Sequence, residues 1–133
     1  MPGGIGYIGS HVAIELLLET NHHITIADNY LNSSLLNLER IFESVSHDLP
    51  EGVDMTPYKA RVTFYEGSIL DLPFLDSVFK KEAKEQRPLT SIFHFAAKKS
   101  APESIYEPLA YYENNLIGSM NLLKMMEKHT YCK

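Results

Sequence analysis

The chain has 133 residues, the length of one domain. With 44% hydrophobic and 22% charged residues it has the make-up of an ordinary globular protein able to bury a core. A net charge of −5 leaves no basic face, which argues against nucleic acid and against an anionic membrane surface as partners.

Residues 7–19, "YIGSHVAIELLLE", space Ile8, Val12 and Leu16 four apart with Ala13 and Leu17 beside them, which predicts a helix. "HITIAD" alternates and closes at Asp28, a short strand. "SSLLNLERIFESV" predicts a second helix on Leu35, Leu38, Phe42 and Val45, with Ser33 or Ser34 as its N-cap. Residues 46–60 hold Pro50, Gly52 and Pro57 and read as a long loop.

"RVTFYEGS" is a second strand. Asp71 followed by Pro73 marks a helix start, and Leu75, Val78 and Phe79 carry that helix to about Glu85. "TSIFHFAA" reads as a third strand, continuously apolar as buried parallel strands are. After polar "KKSAPES", a long helix is expected from about Pro108 to Lys128, with Leu109, Tyr112, Leu116, Met120 and Leu123 as its apolar stripe. Helices alternating with strands describe an α/β, Rossmann-like, doubly wound parallel sheet.

Residues 4–9, "GIGYIG", satisfy G-x-G-x-x-G, and Gly3, Gly6 and Gly9 also give G-x-x-G-x-x-G. Such a turn needs glycine for unusual backbone angles, for close approach to a pyrophosphate and for tight helix packing. The helix it opens presents unpaired N–H groups and a positive dipole end to phosphate. Asp28 closes the next strand 19 residues after Gly9, near the spacing of ~20 at which a carboxylate meets the adenosine ribose hydroxyls. That carboxylate repels a 2′-phosphate, so NAD is favoured over NADP. The strand that normally precedes such a turn is not in these residues; only Met1 and Pro2 stand before it. The sheet is therefore expected to be incomplete.

The blocks "GGIGYIGSH", "ADNYLNSS", "YEGSILD" and "IFHFAAKKSAPESIYEPLAYYENNLIGSMNLL" resemble, in order, successive blocks of the UDP-glucose 4-epimerase (UDP-galactose 4-epimerase) family of extended short-chain dehydrogenase/reductases. The resemblance covers nearly all of the chain outside 46–60. It implies interconversion of UDP-glucose and UDP-galactose, in galactose metabolism, with tightly held NAD. In that family a tyrosine base lifts the proton of the sugar 4-hydroxyl as hydride passes to NAD, and hydride returns to the other face of the 4-keto sugar.

By the same resemblance, Gly3, Gly6, Tyr7, Ile8 and Gly9 would wrap the pyrophosphate, and Asp28, Asn29, Tyr30, Leu31 and Asn32 would surround the adenosine ribose. Ile69 would flank the adenine, Phe95 and Ala96 would lie under the nicotinamide half, and Asn114 would sit near the cofactor. Lys99 would bond the nicotinamide ribose and, with Ser100 and Ala101, stand near the sugar nucleotide. Two departures stand out. The family usually has Asp where this chain has Ser68, removing a charged acceptor for the adenine amino group. It usually reads "FAGLK" where this chain reads "FAAKK", so Ala97 adds a methyl and Lys98 a charge.

The family's hydride chemistry requires Tyr-x-x-x-Lys, in which the lysine lowers the tyrosine pKa. The tyrosines at 7, 30, 58, 65, 106, 111, 112 and 131 have no lysine four positions later. No catalytic residue is therefore expected here, and the resemblance puts that pair and the substrate-binding domain outside these residues. Residues 1–133 are expected to be an NAD-binding fragment, inactive alone, whose full-length form binds a UDP-sugar and has a homodimer open to it. Two alternatives stay open: a non-catalytic nucleotide-binding module, or a fragment of a sibling nucleotide-sugar dehydratase or decarboxylase.

Other residues have plainer readings. The six histidines make no ligand-spaced cluster with cysteine or aspartate, so no metal is expected. Met120, Met125 and Met126 read as core filling. The lone Cys132 suits a reducing compartment and reads as a bystander in a frayed tail. No apolar run nears the ~18 residues of a membrane span, and the N-terminus lacks a signal-peptide pattern, so a cytoplasmic location is expected.

Overall fold

A computed structural model describes residues 1–132. The chain divides into two compact units, Met1–Glu66 and Gly67–Lys133.

In the first unit, helix α1 (Tyr7–Glu19) leads to strand β1 (Ile24–Asp28), helix α2 (Leu36–Asp48), a short helix α3 (Thr56–Ala60) and strand β2 (Val62–Glu66). The strands are parallel, in register from Ile24 opposite Val62 to Asp28 opposite Glu66. All five residues of β1 are buried. Ile5, Ala13, Leu17, Ile24, Ile26, Ile41 and Val45 form the core. The two residues before the glycine turn contribute one parallel bridge, Pro2 to Ala27.

The helix at 7–19 has the expected span but buries a different face. Gly9, Ala13 and Leu17 point inward, whereas Ile8 is 57% exposed. This helix is apolar on more than one side, so periodicity alone does not choose the buried stripe. The second helix begins at Leu36 without a side-chain cap. Ser33, one expected cap, bonds Asp28 instead, while Ser34 Oγ accepts from Leu36 N at 3.4 Å. The 46–60 stretch is not all loop: α2 runs on to Asp48, and α3 forms around Pro57 in its first turn.

The second unit contains α4 (Leu72–Lys84), α5 (Ala101–Tyr106), α6 (Pro108–Tyr112), a single π turn (Glu113–Ile117) and α7 (Gly118–Lys128). The Asp71 carboxylate caps α4 by accepting from Phe74 N at 2.9 Å, as the Asp–Pro signal predicts. Leu75, Val78 and Phe79 are buried on it. Ile69, Leu75, Phe79, Leu122, Met125 and Cys132 make this unit's core.

Three expectations fail here. Residues 90–97 form no strand. A buried parallel strand needs ladder partners, and no strand among the described residues pairs with this stretch. The stripe expected to face the core on the last helix lies outward: Leu109 is 81% exposed, and Tyr112, Leu116, Met120 and Leu123 are exposed too. Gly118, Asn121, Leu122 and Met125 are buried in its place, so Met120 fills no core. Cys132 is not in a frayed tail either; it is buried, with its N–H donating to His129 O at 3.0 Å.

Candidate functional site

The glycine turn is built by backbone bonds that leave the mouth of α1 open. Gly3 sits at φ +74°, a left-handed conformation that glycine adopts without strain. Its N–H donates to Ala27 O at 2.8 Å, and its carbonyl accepts from Gly6 N at 3.0 Å. Gly9 meets a different limit, because a Cβ there would lie 2.5 Å from Gly3 O and 2.8 Å from Gly4 Cα. Gly6 is the N-cap of α1 and supplies no side-chain cap, and the first turn carries no acidic residue. The N–H groups of Tyr7, Ile8 and Gly9 therefore meet no helix carbonyl and no capping side chain. Such an end favours an anion.

Asp28 lies one residue beyond the strand position that receives Gly3. It is 8% exposed, and its Oδ1 accepts from Tyr30 N at 3.0 Å and from Ser33 Oγ at 2.7 Å. Both bonds go to Oδ1 and fold 28–33 into a tight loop, so neither engages Oδ2. Tyr30 is held at φ +59°, unusual for an aromatic residue, and stacks on Phe64 with ring centres 5.7 Å apart. Asn29, Leu31 and Asn32 are exposed. Asn37 Nδ2 donates to Ile5 O at 2.9 Å, tying α2 to the glycine turn. Sequence reading missed Asn37 as a support of this turn, and no local pattern marks it. Ser33, one of the two serines expected as the α2 cap, serves Asp28 instead, and "NSS" after the acidic residue was a usable sign.

In the second unit Ile69 is buried against Gly118, where a Cβ would lie 2.3 Å from Ile69 Cδ1. Phe95 and Ala96 are half-buried; Lys99, Ser100 and Ala101 are exposed. Asn114 Nδ2 donates to Ala96 O at 3.4 Å and to Asn115 Oδ1 at 2.9 Å. Ser100 Oγ caps α5 by accepting from Glu103 N at 3.4 Å. Ser68, the first of the two departures, uses Oγ to accept from Leu70 N at 3.1 Å. Lys98, the second departure, is not a free surface charge: its ammonium lies 3.4 Å from Glu103 Oε1. Asn115 is the residue sequence reading missed, and its side chain takes both backbone groups of Lys98.

Both tyrosines whose titration departs from the ordinary value, Tyr30 and Tyr111, are shifted upward. Burial, with Glu66 and Asp28 nearby, raises the Tyr30 phenol. Burial also raises Tyr111, reinforced by its bond to Glu103. A catalytic phenol must be lowered instead. Among the described residues no three His, Cys, Asp or Glu side chains gather as a metal site. No helix among them is long and apolar enough to cross a membrane.

An uncapped helix mouth reached through a glycine turn, beside a carboxylate at the end of the next parallel strand, defines an incomplete Rossmann-type α/β fold. A family model described as GDP-mannose 4,6 dehydratase matches residues 1–133, and the chain belongs to that family. Among curated relatives, the UDP-glucose 4-epimerase of Bacillus subtilis (strain 168) is 40% identical over 127 residues, covering 96% of this chain and 32% of that protein. The Schizosaccharomyces pombe UDP-glucose 4-epimerase is 35% identical over 127 residues, 96% of this chain and 30% of that protein. The structure of the Stenotrophomonas maltophila UDP-glucose 4-epimerase with bound NAD and formylated UDP-arabinopyranose superposes with a TM-score of 0.75. It is 32% identical, covering 97% of this chain and 33% of that one. The Thermus thermophilus UDP-glucose 4-epimerase complex with NAD gives a TM-score of 0.72 at 25% identity, over 98% of this chain and 33% of that one. The chain thus spans about a third of the length of the relatives it matches.

Proposed function

We propose that residues 1–133 are the NAD-binding portion of a UDP-glucose 4-epimerase that interconverts UDP-glucose and UDP-galactose. The observation that carries this reading is the pairing of the open α1 mouth with Asp28. The amides of Tyr7, Ile8 and Gly9 would hold the pyrophosphate, and Asp28 Oδ2 would accept from the adenosine ribose, helped by the 29–32 loop. The residues fit the group, because the missing Cβ of Gly9 lets α1 pack directly on the glycine turn and no side chain caps those amides. By resemblance Ile69 is assigned to the adenine, Phe95 and Ala96 to the nicotinamide half, and Lys99 to the nicotinamide ribose. By the same resemblance Asn114 is assigned to the neighbourhood of the cofactor, and Lys99, Ser100 and Ala101 to the sugar nucleotide.

The chemistry the bound dinucleotide supplies is acceptance and return of hydride. These residues hold it and supply no base, since no tyrosine here has a lysine four positions on. Residues 1–133 are therefore proposed to bind NAD and to leave UDP-glucose unchanged. Titration calorimetry of the 133-residue chain should show NAD uptake and weaker binding of NADP; equal binding of both, or none of either, overturns the assignment. An epimerisation assay on the same chain should show no product, and UDP-galactose appearing from UDP-glucose would refute the inactivity.

The reading extends to assembly and location. The outward stripe Leu109, Tyr112, Leu116, Met120 and Leu123 runs through about four helical turns of apolar surface, the kind of face that pairs with another chain. A second copy of the full-length protein is proposed as its partner. A cytoplasmic location is proposed from the cysteine usage.

A further inference from the structure

Residues 96–100 have no strand to pair with, yet side chains grip them closely. Asn115 acts as a substitute strand: Lys98 N donates to its Oδ1 at 2.9 Å, and its Nδ2 donates to Lys98 O at 2.9 Å. The neighbouring Asn114 holds Ala96 O. Both asparagines lie in the π turn, where Gly118 N reaches back five residues to Glu113 O. Single π turns inside helices are frequent at functional sites.

A second grip comes from α5 and α6. The Lys98 side chain is 15% exposed and its ammonium sits 5.5 Å from the centre of the Tyr111 ring. Glu103 neutralises that ammonium at 3.4 Å and accepts from Tyr111 Oη at 2.8 Å. Tyr111 Oη in turn accepts from Ser100 N at 3.0 Å. Residues 98 and 100 are thus fastened on either side of Lys99, which is exposed and has no hydrogen-bond or ion-pair partner among the described residues.

We infer that Lys98 is a positioning residue whose clasp, made by Asn115, Glu103 and Tyr111, presents the Lys99 side chain to the nucleotide. The inference rests on the proposed NAD binding for what Lys99 touches, but not for the clasp. The Lys98 side chain is itself mostly covered, and its charge is matched by the partly exposed Glu103. A hydrophobic residue at 98, usual in the relatives the sequence resembles, would keep the Asn115 bonds and lose the second grip. In this chain the two grips meet at Lys98, and the second also holds the amide of Ser100.

Two readouts on the 133-residue chain test it. Amide hydrogen exchange should quicken about three- to fivefold at Ser100 in Lys98→Met and equally in Glu103→Gln, the range a partly exposed ion pair permits. Asn115→Ala should quicken Lys98 about tenfold, and Lys98→Arg should keep the wild-type rates. NAD titration should show about threefold weaker binding for Lys98→Met, and this loss should vanish in a Lys99→Met background. Unchanged exchange at Ser100 in both Lys98→Met and Glu103→Gln overturns the clasp. An equal loss of NAD affinity with and without Lys99 overturns positioning through Lys99. Absence of NAD uptake by the wild-type chain overturns the nucleotide reading instead, and exchange at Ser100 then decides the clasp.

Discussion

The amide of Gly3 donates to the carbonyl of Ala27 across 2.8 Å, setting the glycine turn one residue from Asp28. This bond converts two distant sequence signals into one local arrangement, with free amides on one side and a carboxylate on the other. Its consequences can be measured.

Gly9→Ala should be costly although alanine is the better helix former. Its Cβ would stand 2.5 Å from Gly3 O, so α1 must move off the turn. Overpacking of this kind costs about 1–3 kcal/mol. Thermal unfolding and NAD titration on the same sample should fall together; unchanged values for both would mean α1 does not pack on the turn as described.

Asp28→Ala removes a buried acceptor from Tyr30 N and Ser33 Oγ as well as the proposed ribose contact. Hydrogen bonds to charged groups contribute about 1.5–3 kcal/mol, so NAD affinity should drop roughly ten- to hundredfold. Ser33→Ala should give a smaller loss of the same sign. A Ser33→Ala effect as large as that of Asp28→Ala would assign the site to the loop rather than to the carboxylate.

Asp76 gives a pH dependence. Lys80 at 2.7 Å, Lys128 at 2.9 Å and His129 at 2.8 Å surround its carboxylate and hold it well below the usual carboxylate range. A carboxyl depressed in the folded state stabilises fully above its unfolded pKa, near pH ~4, and that stability is lost as pH falls toward the folded value. Denaturant unfolding should find Asp76→Asn less stable than wild type at pH 7, with the gap closing as pH drops below ~4. A gap that does not change with pH would mean the cations do not act through charge.

Cys132 should react slowly. It is buried in the second core, and burial pushes its thiol up. Labelling by a thiol reagent at neutral pH should be much slower in the folded chain than in denaturant, and equal rates would place the cysteine at the surface.

The outward stripe predicts self-association. Leu116→Glu should shift sedimentation of the chain toward monomer and leave the thermal unfolding of the monomer nearly unchanged. A wild-type chain that sediments as a monomer at every concentration would remove the proposed pairing face.

Local chemistry was readable from the residues themselves. "GIGYIG" before an apolar helix, Asp28 closing "HITIAD" and Asp71 before Pro73 each specify backbone geometry within a few residues. The turn, the strand end and the helix cap all form where that chemistry demands. What periodicity could not choose was which of two apolar faces turns inward. Ile8, Val12 and Leu16 compete with Ala13 and Leu17 on α1, and Leu116 and Met120 compete with Leu122 and Met125 near α7. Burial depends on the partner element, and the partner lies far along the chain. The same reason governs residues 90–97, whose apolar run suits a strand but whose ladder must come from elsewhere. Only the tertiary structure could show Asn115 holding the backbone of Lys98 just past that run, because a side-chain amide matching a backbone peptide 17 residues away leaves no mark in spacing or composition.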